Sequence, residues 1–410
     1  MGKKKSIRQP NTANRTPKRF NLLTESTINK IFIYILLILP LIYFASLLSG
    51  TKMMYGSDWL LAGYSTRKWV VECFKHYLSG PMWDGAAFCG LPFGNTYTFY
   101  YLLYLILPIH IAWTYIFVLA VAFAGLGIYL YLKELKLSIY SCFLGAITYM
   151  GSGAVLSMTY AGHDGKILAT AFFPFILLTL HKAITRRKMI YFLFAGAIGG
   201  IAAINSHFQL IYYAVIVCIV YLIYHLICQR KENGLKGTAR ILSYVAYGLL
   251  MALGLMAIHY LPIFGTMGWG ARGGERGYAF ASSWSMPPAE LLDLLTPHFS
   301  GLLNNYWGEN YFKLHTEYLG ILPLLLGLIG ITQYKRDKYI RFFIWLGIVT
   351  IIFALGSYTP IYRMFYSILP GVKKFRAPSM IFYLTSFSIS VLAALGYNYL
   401  QTHLGQRTED

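Results

Sequence analysis

The chain has 410 residues, of which 57% are hydrophobic, 17% aromatic and only 12% charged, with a formal net charge of +20. A soluble globular domain is about half apolar and a quarter charged, so this composition excludes one and points to a membrane protein. The positive charge does not mark a nucleic-acid binder, because the basic residues fall in short clusters between apolar runs of about 20 residues, the length that crosses a bilayer.

Residues 1–30 are basic and polar and read as a cytoplasmic N-terminal tail. The first apolar run, Ile31 to Gly50, is too long and too poorly terminated for a cleaved signal peptide, so it reads as a retained span. Further spans are expected near 111–132, 138–157, 167–182, 189–205, 208–228, 241–263, 317–333, 340–357 and 379–400. The expected fold is an all-α polytopic membrane protein with about ten transmembrane helices. Its membrane domain covers 31–400, with two long outer loops at 51–95 and 264–316, and 401–410 form a second cytoplasmic tail. With the N-terminus inside, 23 Lys and Arg fall inside and 12 outside, which follows the positive-inside rule. The acids lean the other way, six inside and nine outside, so acid chemistry is expected on the outer face.

In the first loop Asp58 follows Gly56 and Ser57 and precedes WLLAGYSTRKWVVECFKHYL. There Leu61, Trp69, Val70, Phe74 and Tyr77 recur near helical spacing, as in an amphipathic helix lying along the membrane. Asp58 then reads either as a helix cap or as a general base at the membrane surface, and spacing does not separate the two. Between the third and fourth spans, GHDGK places His163, Asp164 and Lys166 in a short outer turn. It reads either as a solvated turn with a snorkelling lysine or as a phosphate-pairing site. His207 and Gln209 occupy the next outer turn, and GVKKFRAP brings Arg376 to the outer side before the last span. In GWGARGGERGYAF, Arg272 and Arg276 are interleaved with glycines, which suits an anion, a flexible lid, or both.

Of five cysteines only Cys73 and Cys89 share the outer side, and a disulfide between them stays open. There is no CxxC, HExxH, Walker A or dinucleotide fingerprint, so the sequence requires no cofactor and assigns no metal ligands.

Five stretches carry a resemblance: YGSDWL, PMWDGAAFCGLPFGN, YAGHDGKILATAFFPF, SSWSMPPAELLDLLTPHFSG with the later YWG, and KKFRAPSM. In this order, over about residues 30–400, the chain resembles the YfhO-type bacterial membrane proteins, which in turn resemble the GT-C class of polyprenyl-phosphate-dependent glycosyltransferases. The resemblance implies a multi-pass protein of the bacterial cytoplasmic membrane, both termini cytoplasmic, with an active site on the outer face. It further implies a polyprenyl-phosphate sugar donor, and an acid in the first outer loop that takes the acceptor's proton, the position matched by Asp58. From charge and side alone, Lys166, Arg272, Arg276 and Arg376 become candidates for the donor phosphate, His163 or Asp164 for sugar or acceptor contacts, and His207 for substrate binding. The acceptor would be a cell-envelope glycan, lipid or protein, with membrane lipids and no nucleic acid as other partners. Many GT-C enzymes pair two acids here; Asp84 is the available second, and a divalent metal stays open without support from these residues. The rival readings are a lipid or glycan flippase and a non-catalytic membrane scaffold. Ion-coupled transport is disfavoured, since no Asp, Glu, Lys or Arg stands in the centre of an expected span and no internal repeat is apparent.

Overall fold

The computed structural model describes residues 24–81, 83–85, 90–92, 98–266 and 276–407. Most of the N-terminal tail, Cys89 and Arg272 lie outside the described residues. Thr24 accepts the Thr27 amide on its hydroxyl and so opens α1 (Glu25–Tyr43). One π-helical turn at Trp59–Gly63 leads into α2 (Tyr64–Tyr77). A small antiparallel pairing of β1 (Trp83–Asp84) with β2 (Leu91–Pro92) and the short α3 (Tyr101–Ile106) follow. The helical body comprises α4 (Ile109–Glu134), α5 (Ile139–Met150), α6 (Gly153–Ala161), α7 (Asp164–Arg186), α8 (Met189–Asn205), α9 (Phe208–Cys228) and α10 (Arg230–Thr266). After α11 (Gly277–Ala281) a long irregular segment leads to α12 (Ile321–Ile331), α13 (Lys338–Ala354), α14 (Ile361–Ile368) and α15 (Phe382–Arg407).

Seven helical stretches are long and apolar enough to cross a membrane: α1, α4, α5 with α6, α7, α9, the Gly234–Gly265 part of α10, and Pro378–His403 around α15. The expected positions of the other spans are also helical, but α8, α12 and α13 run only 17, 11 and 17 residues. A membrane protein with seven helices of spanning length is therefore what the fold establishes. The expected span at 138–157 lies within the spanning stretch Ile139–Ala161, which is interrupted between α5 and α6. The break falls at Gly151 and Ser152, where the Gly153 amide donates to the Tyr318 carbonyl at 2.6 Å. A Cβ on Gly153 would lie 2.7 Å from Thr316, so only glycine lets the second long loop pack this closely on α6.

Burial sorts the helices into centre and rim. α7 and α15 are the most enclosed, with 78% and 83% of their apolar windows buried, while α1 and α10 have 11% each. Some polar groups in this core are paired: Ser390 donates to the Ser386 carbonyl within α15, and the Thr350 and Thr385 hydroxyls share a hydrogen bond at 2.8 Å between α13 and α15. At one end, Arg186 pairs with Glu134 at 2.8 Å and Arg187 with Glu232 at 3.5 Å, tying the short connections together. The other end carries the long segments, and is called the loop face below.

Candidate functional site

Two glycines bring the first long loop to the GHDGK turn. Gly162 ends α6 with φ +72°, a left-handed conformation that favours glycine. Its Cα stands against Gly56: a Cβ on Gly56 would meet it at 2.7 Å, and one on Gly162 would meet the Gly56 Cα at 2.9 Å. The loop is then clamped on α4. The Met54 amide donates to the Thr114 hydroxyl, and the Trp113 indole donates to the Met54 carbonyl, both at 3.2 Å. Trp59 stacks on Trp113 with ring centroids 3.6 Å apart, and the Arg67 guanidinium lies 5.2 Å over Trp59.

This packing sets the partner of Asp58. Its side chain makes no capping hydrogen bond to the helical turn that follows. Its Oδ2 instead pairs with His163 Nε2 at 2.9 Å, across 105 residues of sequence, and the carboxylate stays 60% exposed. Burial and the Lys166 charge hold His163 below its ordinary pKa, against the pull of Asp58. A neutral His163 therefore donates from Nε2 to the carboxylate, while its Nδ1 is buried without a hydrogen-bond partner.

Lys166 lies beneath this pair, buried in the first turns of α7. Its Nζ is 3.5 Å from Nε2 of His315, whose ring centroid is 5.4 Å from that of His163. Burial, then Lys166 and His163, hold His315 well below its ordinary pKa, so two neutral imidazoles separate the lysine from the exposed carboxylate. Lys166, His315 and Glu317 line a cavity of about 30 Å³, room for about one water. Across Thr316 opens a groove of about 830 Å³ lined by Tyr43, Tyr160, His298, Trp307 and Tyr318. A narrower apolar cleft of about 120 Å³ lies between α3, α4 and α7, lined by Phe99, Leu103, Phe123, Leu168 and Phe172.

The remaining sequence candidates have distinct positions. Asp164 accepts from Arg67 at 2.5 Å and from the Gly165 amide at 2.8 Å, so its carboxylate fastens α2 to the start of α7. The His207 amide donates to the Gly165 carbonyl at 2.8 Å, joining the two turns through backbone. Arg376 lies 5.2 Å over Trp284, its carbonyl takes a 2.6 Å bond from Gln209, and its charge is felt at Lys166. The Arg276 guanidinium stands 5.2 Å over the Phe280 ring beside α11. α2 is helical as expected, but Val70, Val71 and Cys73 form its buried face, whereas Trp69 and Tyr77 are exposed. Neither aromatic belongs to the buried side of the helix.

His315 and Arg67 join this cluster through Lys166 and Asp164, and the sequence reading missed both. The one available signal was polar alternation in KLHTE, which an extended segment turns into Lys313, His315 and Glu317 on one side. Next to the cavity this alternation builds a buried ionic knot. Lys313 Nζ meets Glu290 at 2.7 Å, Asp293 at 2.9 Å and Glu317 at 2.6 Å. Ser300 donates to Asp293 and Tyr306 donates to Glu290. Among the described residues Glu290, Asp293 and Glu317 lie close enough together to ligate a metal, but the Lys313 ammonium takes the position a cation would hold. Burial pulls the Lys313 pKa down, and Glu317 and Glu290 outweigh it, holding it above the ordinary lysine value.

Burial pushes the Glu317 carboxyl up to about 7, against the pull of Lys313. A raised carboxyl pKa in the folded state stabilises the fold fully below the unfolded value, near 4.5, and this contribution is lost as pH rises through 7. Thermal unfolding in detergent is therefore expected to shift to lower temperature between pH 5 and pH 8, by an amount equivalent to about 3 kcal/mol at most. Glu317→Gln should flatten that part of the profile; an unchanged slope in the variant would assign the pH dependence to another group.

Comparison with protein-family models and with curated proteins finds no match for this chain.

Proposed function

We propose that this protein is a membrane glycosyltransferase that moves a sugar from a polyprenyl-phosphate donor to an acceptor hydroxyl, on the loop face, which we place outside the bacterial cytoplasmic membrane. The observation that carries this reading is the half-open Asp58 carboxylate, fixed by His163 and set above the buried Lys166. Asp58 removes the hydroxyl proton of the acceptor, and the freed oxygen attacks the anomeric carbon. The bond from that carbon to the phosphate oxygen breaks, and polyprenyl phosphate leaves with the electron pair, inverting the anomeric centre. The His163 N–H holds one oxygen of Asp58 and so orients the exposed carboxylate. Lys166 and Arg376 supply positive charge for the leaving phosphate, and the burial of Lys166 strengthens its field. The groove between α6 and the 297–307 segment takes the acceptor, and the apolar cleft beside Leu168 takes part of the prenyl chain.

The test is consumption of a panel of polyprenyl-phosphate sugars by the purified protein with mixed cell-envelope acceptors. Loss of one donor, with release of polyprenyl phosphate, is expected. If no donor is consumed and none raises the melting temperature, the protein is a flippase or a scaffold instead.

A further inference from the structure

We propose that α14 and the segments around it form a binding site for the headgroup of an anionic phospholipid, in the leaflet on the loop face. This does not depend on the transferase reading. Eight residues, IYRMFYSI, divide α14 into three sectors. Tyr362 and Phe365 face inward, with ring centroids 5.2 and 5.3 Å from that of Phe353. Ile361, Met364 and Ile368 form a second edge, also apolar, yet 41%, 50% and 68% exposed. Arg363 and Ser367 occupy the third. A short helix with one apolar edge on the protein and another left open is stable where lipid covers the open edge, at the depth of the headgroups.

The charge beside that edge fixes the kind of lipid. The Arg363 guanidinium lies 5.1 Å over the Tyr278 ring, and the Lys373 ammonium 5.8 Å over the Tyr366 ring. Those two rings meet edge-on at 5.4 Å, so both cations flank one aromatic pair. Lys374 is exposed next to Lys373, and Arg376 follows over Trp284. Among the described residues, Arg363, Lys374 and Arg376 form no ion pair with a carboxylate. Glu309 accepts a hydrogen bond from the Tyr358 hydroxyl at 2.6 Å, and a single carboxylate there leaves the cations in excess among the described residues. Ring contacts hold the arginine and lysine in place before any ligand arrives, which lowers the ordering cost of binding. An excess of positive charge around an exposed apolar edge matches a phosphodiester attached to acyl chains, and it does not match a zwitterionic headgroup, whose own ammonium would be repelled.

The experiment is native mass spectrometry of the full chain in neutral detergent, titrated with phosphatidylglycerol or with phosphatidylcholine of the same acyl chains. Preferential retention of phosphatidylglycerol is expected. Arg363→Gln with Lys374→Gln should reduce that retention roughly tenfold or more and leave phosphatidylcholine unchanged. Met364→Ser with Ile368→Ser should weaken both lipids and keep the preference. Lys374→Gln alone, at an exposed position, keeps the comparison valid if the double variant folds poorly. Three results would overturn the proposal: equal retention of both lipids by the native chain, no change in the charge variant, or an equal loss from Lys335→Gln with Arg336→Gln at the opposite end. Competition by soluble glycerol phosphate at the same concentration as the lipid would also overturn it, by showing a free phosphate-ester site with no role for the apolar edge.

Discussion

Asp58→Asn is expected to lower the rate of sugar transfer by about 10²–10⁴-fold while donor binding is retained, the range a positioned general base contributes. The amide keeps the size of the side chain and can still accept from His163 Nε2, so the fold and the pairing across the two loops should survive. What it removes is the ability to take a proton. Single-turnover rates and donor-dependent thermal stabilisation, measured on the same preparations, separate these effects. Normal turnover in the variant would remove Asp58 from the reaction, whereas loss of both turnover and donor stabilisation would make it a binding residue. His163→Gln should give a smaller loss, since it disturbs the orientation of Asp58 without removing the carboxylate.

The second large effect concerns the ionic knot. Lys313→Met should destabilise the protein by about 3–5 kcal/mol, because removing the cation leaves Glu290, Asp293 and Glu317 buried with no compensating charge. The same chain segment carries His315 to Lys166, so the loss should also loosen the floor of the site. Combining Lys313→Met with Glu290→Gln, Asp293→Asn and Glu317→Gln should recover much of the stability, since neutral groups of similar shape carry little desolvation cost. Equilibrium or thermal unfolding in detergent measures both variants. A single variant as stable as the native chain would mean that the carboxylates reach water or share protons.

Much of the architecture is legible in the amino-acid order, because a bilayer allows few solutions. A long apolar segment without charge has to satisfy its backbone internally, so helix and membrane class follow from local composition. The clustering of acids in the long loops and the helical character of WLLAGYSTRKWVVECFKHYL are local in the same sense, whereas the expected turn at GHDGK shrinks to Gly162 and His163, with Asp164 and Lys166 already in the first turn of α7. Where local pattern was the only guide it also misplaced details. Gly151 and Ser152 break a hydrophobic run that reads as continuous, because the segment around Thr316 and Tyr318 occupies that level from outside.

Only the tertiary structure decided the site. Whether Asp58 caps a helix or acts on a ligand depends on the approach of Gly56 to Gly162, a contact between backbones more than 100 residues apart. Lys166 is a buried charge rather than a snorkelling one because α6, α15 and the 313–317 segment close over it. His315, Arg67 and the partners of Lys313 carry no signature that spacing could detect, since their relations are set by loops folding back on the helix ends. The sequence by itself determined the solvent this protein lives in and the helices that follow from it. Which polar groups meet was decided by long-range packing, because short-range patterns encode burial and period but not the contacts between distant segments.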